Sequence, residues 1–132
     1  MNLQDAMTRT KFEDLAEKVF EGLPKLFGDK IDNVHITVED YPSEDVLEHM
    51  HARKTSLLGL YQGIPLTHRG TWYGTNPTTP DTISLYQANI EAVCQNDEEI
   101  SERIREVLLH ELGHYFGMNE LEIRNAMKYF NQ

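Results

Sequence analysis

Residues 110–120 read His110-Glu111-Leu112-Gly113-His114-Tyr115-Phe116-Gly117-Met118-Asn119-Glu120. Ile104, Leu108, Leu112, Tyr115 and Phe116 recur through this region at helical spacing, which predicts one helix over about 97–116. Asn96 with Glu99 three residues on forms a capping box at its start, and Gly117 supplies a left-handed stop. Four residues advance a helix by about 400°, so His110 and His114 leave the same face one turn apart. With His110 at zero, the five apolar residues fall at roughly 120° to 240°, opposite the imidazoles. A core face and a histidine face are therefore separate.

Imidazoles one turn apart can both reach a single Zn²⁺ at about 2.0–2.1 Å. Glu111 lies about 100° round from His110, where it can take a proton from an activated water without filling a ligand position. That division of labour suits metal-assisted hydrolysis, and H-E-x-x-H on a helix is its sequence pattern. A third ligand must come from outside the straight helix, because another turn would carry it past the metal. Gly117 lets the chain double back, and two carboxylates follow it. Glu122 stands three residues after Asn119 and is accounted for by capping a last helix that runs to about 130. Glu120 has no such task and is the expected third ligand.

Outward from this stretch, Phe12, Leu15, Ala16, Val19, Phe20 and Leu23 mark a one-faced helix. Thr10 with Glu13 reads as its capping box, and Pro24 and Gly28 crowd its end. Residues 33–38 alternate and are rich in β-branched side chains, which predicts a strand. A short helix is expected over 44–53, with further strands over 57–61 and 82–86. Residues 63–81 hold three glycines, three prolines and five threonines and read as an irregular loop containing His68, Arg69, Trp72 and Tyr73. His35, on the first strand, reads as a half-buried residue. Cys94 reads as a buried, unreactive thiol.

The 132 residues suit one domain, 1–132, with 39% hydrophobic residues and a mean hydropathy of −0.54. No apolar run approaches the roughly 20 residues that cross a bilayer. Twelve Lys+Arg against 22 Asp+Glu give a net charge of −10, a field that repels a phosphate backbone. Neither nucleic acid nor a membrane is expected as a partner. The lone Cys94 rules out an intrachain disulfide, and the first residues do not resemble a secretory signal, so a cytoplasmic location is expected. Residues 55–96 carry only Asp81, Glu91 and Arg69 as charges, and this neutral middle is expected to form the sheet and the walls of any cleft.

The motif is similar to that of the metzincin zinc peptidases, whose pattern places a histidine or an aspartate where Glu120 stands. More closely, the chain resembles the small bacterial zincin-like metallopeptidases, or minimal zincins. In these a helix, a strand, a segment like Leu58-Gly59-Leu60-Tyr61-Gln62-Gly63-Ile64-Pro65-Leu66-Thr67 and a strand like Thr82-Ile83-Ser84-Leu85 precede the H-E-x-x-H helix. The resemblance covers nearly the whole chain. It implies an α+β, minimal zincin-like fold, with a small mixed β-sheet of about three strands packed on helices and the H-E-x-x-H helix beneath. It also implies Zn²⁺ as cofactor, His110, His114 and Glu120 as metal ligands, and Glu111 as general base. Two departures stand out. Related members usually carry aspartate at the third position, so Glu120 reaches one methylene further. The metzincin Met-turn has no counterpart, and Met127 reads as a core residue.

The implied activity is zinc-dependent hydrolysis of peptide bonds in a peptide or protein substrate, by a monomer. By analogy the substrate would lie along residues 57–62 as the sheet edge, with 82–86 inside it. His68, Arg69, Tyr61 and Tyr115 are candidates to steady the oxyanion. Two alternatives stay open: a zincin-fold metal-binding or interaction module with little or no activity, and a regulatory protease with one protein partner.

Overall fold

The computed structural model describes residues 7–23, 33–63 and 81–130. Their helices are α1 (Arg9–Glu21), α2 (Glu44–Met50), α3 (Gln87–Ala92), α4 (Asp97–Tyr115) and α5 (Glu120–Phe130). The strands are β1 (Val34–Glu39), β2 (Gly59–Gln62) and β3 (Asp81–Tyr86). They form one mixed sheet in the order β1-β3-β2, with β1 parallel and β2 antiparallel to β3. Ile83 at the centre of β3 faces Ile36 of β1 and Tyr61 of β2. The α+β class and the three-stranded mixed sheet agree with the sequence reading, as does the placing of 82–86 between its neighbours.

β3 is central because it is apolar enough to be covered on both faces: Ile83, Leu85 and Tyr86 are all buried. The hydroxyl of Ser84, also buried, is met by Thr37 Oγ1 at 3.1 Å, so no polar atom is stranded there. α4 packs against α1, β2 and α5. Ile100, Ile104, Leu108 and Leu112 of α4 are wholly buried. Each contributes about 1.5–3 kcal/mol by burial. The β-branched residues cost at most about 0.7 kcal/mol each in helix propensity. Packing, not propensity, therefore holds α4.

Several boundaries differ from the sequence reading. α1 begins earlier than the Thr10–Glu13 box implies: the N-cap is Thr8, whose Oγ1 accepts the Lys11 N–H at 3.1 Å. Arg9 draws the helix start back. Its guanidinium donates to Gln87 Oε1 at 2.7 Å, Val38 O at 2.9 Å and Asp40 Oδ1 at 2.7 Å, tying α1 to β1 and α3. α1 ends at Glu21 with Gly22 as its cap, and the expected stop signals Pro24 and Gly28 lie outside the described residues. α2 stops at Met50 because His51 turns left-handed, at φ 51°. β2 starts at Gly59 rather than Leu57, since the Asn89 side-chain amide takes the carbonyls of Lys54 and Leu57, each at 2.8 Å. His35 is exposed, not half-buried, because only one face of β1 meets the core.

α3 has no forerunner in the sequence reading. Gln87-Ala88-Asn89-Ile90-Glu91-Ala92 has no capping side chain at Tyr86 and too few apolar positions to show a period. Tertiary bonds hold it: besides Asn89, buried Gln87 donates Nε2 to Met7 O at 2.8 Å. No described helix is long and apolar enough to cross a membrane.

Candidate metal centre

His110-Glu111-Leu112-Gly113-His114 lies in the last turns of α4. From 107 to 115 this helix is buried or half-buried on every side, and the two histidines, each about one-third exposed, form its opening to solvent. Their rings meet edge to face, with centroids 4.9 Å apart.

The chain returns to them through a left-handed turn. Gly117 has φ 78°, a conformation that L side chains resist. Its N–H bonds His114 O and the Met118 N–H bonds Gly113 O, both at 2.9 Å, which is the paired pattern of a Schellman motif. Asn119 then caps α5 reciprocally with Glu122: Asn119 N–H to Glu122 Oε1 is 3.0 Å, and Glu122 N–H to Asn119 Oδ1 is 2.8 Å. Gly113 lets α5 close on α4, since a Cβ there would lie 2.5 Å from Ile123 Cγ1.

This turn brings Glu120 over both imidazoles. His110 Nε2 is 3.0 Å from Glu120 Oε2, and His114 Nε2 is 3.0 Å from Glu120 Oε1. Glu111 approaches from the other side and is nearly buried. Its Oε2 is 2.6 Å from His110 Nδ1, and its Oε1 accepts the backbone N–H of Tyr61 at 2.8 Å. Donor atoms of His110, Glu111 and His114 all fall within 4.8 Å of one another. Two carboxylates thus flank the histidines. Glu120 faces the two Nε2 atoms, whereas Glu111 meets His110 through the opposite ring nitrogen.

The charges respond to one another. The hydrogen bond to Glu111 is the main cause that lifts the His110 pKa to about 9, reinforced by Glu120 and opposed by burial. The bond from His110 likewise pulls the Glu120 carboxyl below its ordinary value. Two imidazoles and a carboxylate are the donor chemistry of a zinc site. Bonds of about 2.0–2.1 Å in a tetrahedron put ligand atoms about 3.3 Å apart, so the 3.0 Å spacings need to open by only a few tenths. The donor set fits the ion.

The family model for zincin-like metallopeptidases matches residues 31–128. The chain belongs to the zincin-like metallopeptidase family. Among solved structures, a conserved hypothetical protein from Thermus thermophilus is similar at 24% identity. The match covers 83% of this chain and 94% of that one with a TM-score of 0.53, a likeness of fold. No curated protein matches the sequence. In this zincin-like chain, zinc is the metal that the family implies for the cluster on α4.

Other residues singled out in the sequence are less central. The Tyr61 hydroxyl donates to Asp81 Oδ1 at 3.2 Å, and Tyr115 is buried with its ring 5.7 Å from that of Tyr61. His68, Arg69, Trp72 and Tyr73 lie outside the described residues. Met127 is not a core residue as expected; it is half-buried and borders a hollow next to His110 and Glu111. The Tyr61 backbone N–H has no place in the sequence reading, because a main-chain donor carries no residue-type signal.

Proposed function

We propose that this chain is a zinc-dependent peptidase in which His110, His114 and Glu120 hold the metal and Glu111 is the general base. The observation that carries this reading is the convergence of two Nε2 atoms, each 3.0 Å from a different oxygen of one carboxylate. Bound there, Zn²⁺ supplies Lewis acidity, which polarises a scissile carbonyl and lowers the pKa of water towards neutrality.

The remaining work falls to the chain. Glu111 takes a proton from the attacking water and returns it to the departing amine. Its position suits that exchange: the Tyr61 N–H and His110 Nδ1 fix its two oxygens, and each carboxylate oxygen keeps a second lone pair. The His110 Nδ1–H···Oε2 contact also orients the imidazole with Nε2 outward, towards Glu120. Among the described residues β2 pairs only with β3, so an extended peptide adding to the outer edge of β2 would run past Glu111.

One observation favours a second reading, a metal-binding module without turnover: both Glu111 oxygens already accept hydrogen bonds. Metal analysis of the purified protein and digestion of a broad peptide library by its zinc-loaded form separate the two. Cleavage that a chelator abolishes and zinc restores supports the peptidase. One bound zinc with no cleavage selects the module.

A further inference from the structure

The sheet has a second edge, two strand spacings from β2, or roughly 10 Å. Among the described residues β1 pairs only with β3, and α1 packs beside it. Between α1 and β1 lies a groove of about 350 Å³. Phe20, Val34, Ile36 and Val38 give it apolar walls, and Glu13 and Glu17 line it from α1. We infer that this groove docks an extended segment of a partner protein, added as a strand to β1, with a lysine or arginine of that segment set between Glu13 and Glu17. The inference is independent of the peptidase reading.

The ladder fixes where such a strand can add. The Tyr86 N–H bonds Leu58 O on the β2 side, so Ile83 and Leu85, one residue out of phase, turn their backbone groups towards β1. In a parallel ladder a residue so turned bonds the two neighbours of its partner. Ile83 faces Ile36 and Leu85 faces Val38, so the bonds go to His35, Thr37 and Glu39. Val34, Ile36 and Val38 are left with their backbone groups outward. Arg9 Nη1 donates to Val38 O at 2.9 Å, as that phase requires. Arg9 is itself held by Asp40 and Gln87, so it closes the Val38 end of the edge. Val34 and Ile36 remain for a short added strand.

Charge selects the occupant. Glu13 and Glu17 stand one turn apart on α1, both exposed, and neither joins an ion pair among the described residues. Like charges at this spacing repel each other on a helix. A cation between them relieves that repulsion, and its aliphatic stem covers Phe20, Ile36 and Val38, which are half-buried. No described lysine or arginine lines the groove. His35 borders it, with its side chain alternating to the other face of β1. A second copy of this chain would bring its own Glu13 and Glu17 into the seam, on a molecule of net charge −10. The same field repels nucleic acid. A basic, strand-forming segment is the complement that remains.

The test is an NMR titration of the full chain carrying Glu111→Gln, which spares the probe from cleavage. The probe is acetyl-Thr-Val-Thr-Arg-Thr-Val-Thr-amide, and its control has glutamate in place of the arginine. The arginine peptide should shift the backbone amides of Val34 and Ile36 saturably, and bind at least about tenfold more tightly than the control. Its binding should weaken at least about fivefold between about 0.05 and about 0.5 M salt. Adding Glu13→Gln and Glu17→Gln together should weaken it at least about tenfold without lowering the thermal midpoint, since a repelling pair is removed. Equal binding of the two peptides, shifts at Leu60 and Tyr61 in place of Ile36, or no shift at all overturns the inference. Shifts of Ile36 that grow with protein concentration in the absence of peptide would give the edge to a second copy and overturn it as well.

Discussion

The backbone N–H of Tyr61 donates to Oε1 of Glu111 across 2.8 Å, joining the outer strand of the sheet to the H-E-x-x-H helix. The bond fixes the carboxylate by main chain rather than by a replaceable side chain. It also sets the distance between the strand that a substrate would follow and the group that would move its proton.

Replacement of Glu111 should therefore separate metal binding from turnover. Glu111→Gln keeps an acceptor for the Tyr61 N–H but no longer takes up a proton. Zinc content by mass spectrometry should stay at one per chain, while peptide cleavage falls by about 10²–10⁴-fold. Loss of zinc together with activity would show that Glu111 is a ligand.

Gly113 and Gly117 hold Glu120 in place by different means. A Cβ at Gly113 meets Ile123 at 2.5 Å, so Gly113→Ala should cost about 1–3 kcal/mol in denaturant unfolding and loosen zinc binding by moving α5. Gly117→Ala meets a backbone strain at φ 78° and should cost about 1 kcal/mol. A substitution on the exposed face of α5, such as Arg124→Ala, should change stability by less than about 0.5 kcal/mol.

Protons and zinc should compete for His110. Its folded pKa is raised from 6.5 to about 9, so in the metal-free protein the charged His110 contributes stability that is complete below about pH 6.5. That contribution is lost as pH rises through about 9. At pH 7 His110 is protonated, and zinc must displace that proton. Calorimetric titrations in buffers of different ionisation heat should show about one proton released per zinc at pH 7. Apparent affinity should rise with pH towards 9, and a flat profile would contradict the pairing.

Cys94 is buried, and burial is the main cause that raises its thiol pKa. A thiol reagent at pH 8 should label the folded protein slowly and the unfolded protein at once. Rapid labelling of the native state would mean that the loop before α4 opens.

The helical period around His110 locates α4, the alternation in 33–38 locates β1, and the strand read over 82–86 matches β3, each within one residue. Glu122 is readable as a cap because Asn119-x-x-Glu122 is a local pattern, and the observed reciprocal bonds match it. What escapes the sequence depends on distant partners. Arg9 starts α1 early through contacts to Val38, Asp40 and Gln87, and Asn89 shortens β2 by taking the Leu57 carbonyl. α3 has no period of its own. The contact of Glu120 with both histidines can be anticipated from Gly117. The Tyr61 N–H on Glu111 and the place of Met127 beside the hollow cannot, because both arise from packing between segments far apart in sequence.

The most direct measurement is zinc-edge X-ray absorption on the zinc-loaded protein and its Glu120→Ala variant. The account expects one zinc per chain with two imidazoles and a carboxylate oxygen at about 2.0–2.1 Å, and a loss of that oxygen with at least about tenfold weaker binding in the variant. An unchanged ligand shell and affinity in Glu120→Ala, or no stoichiometric zinc in the parent, would contradict it.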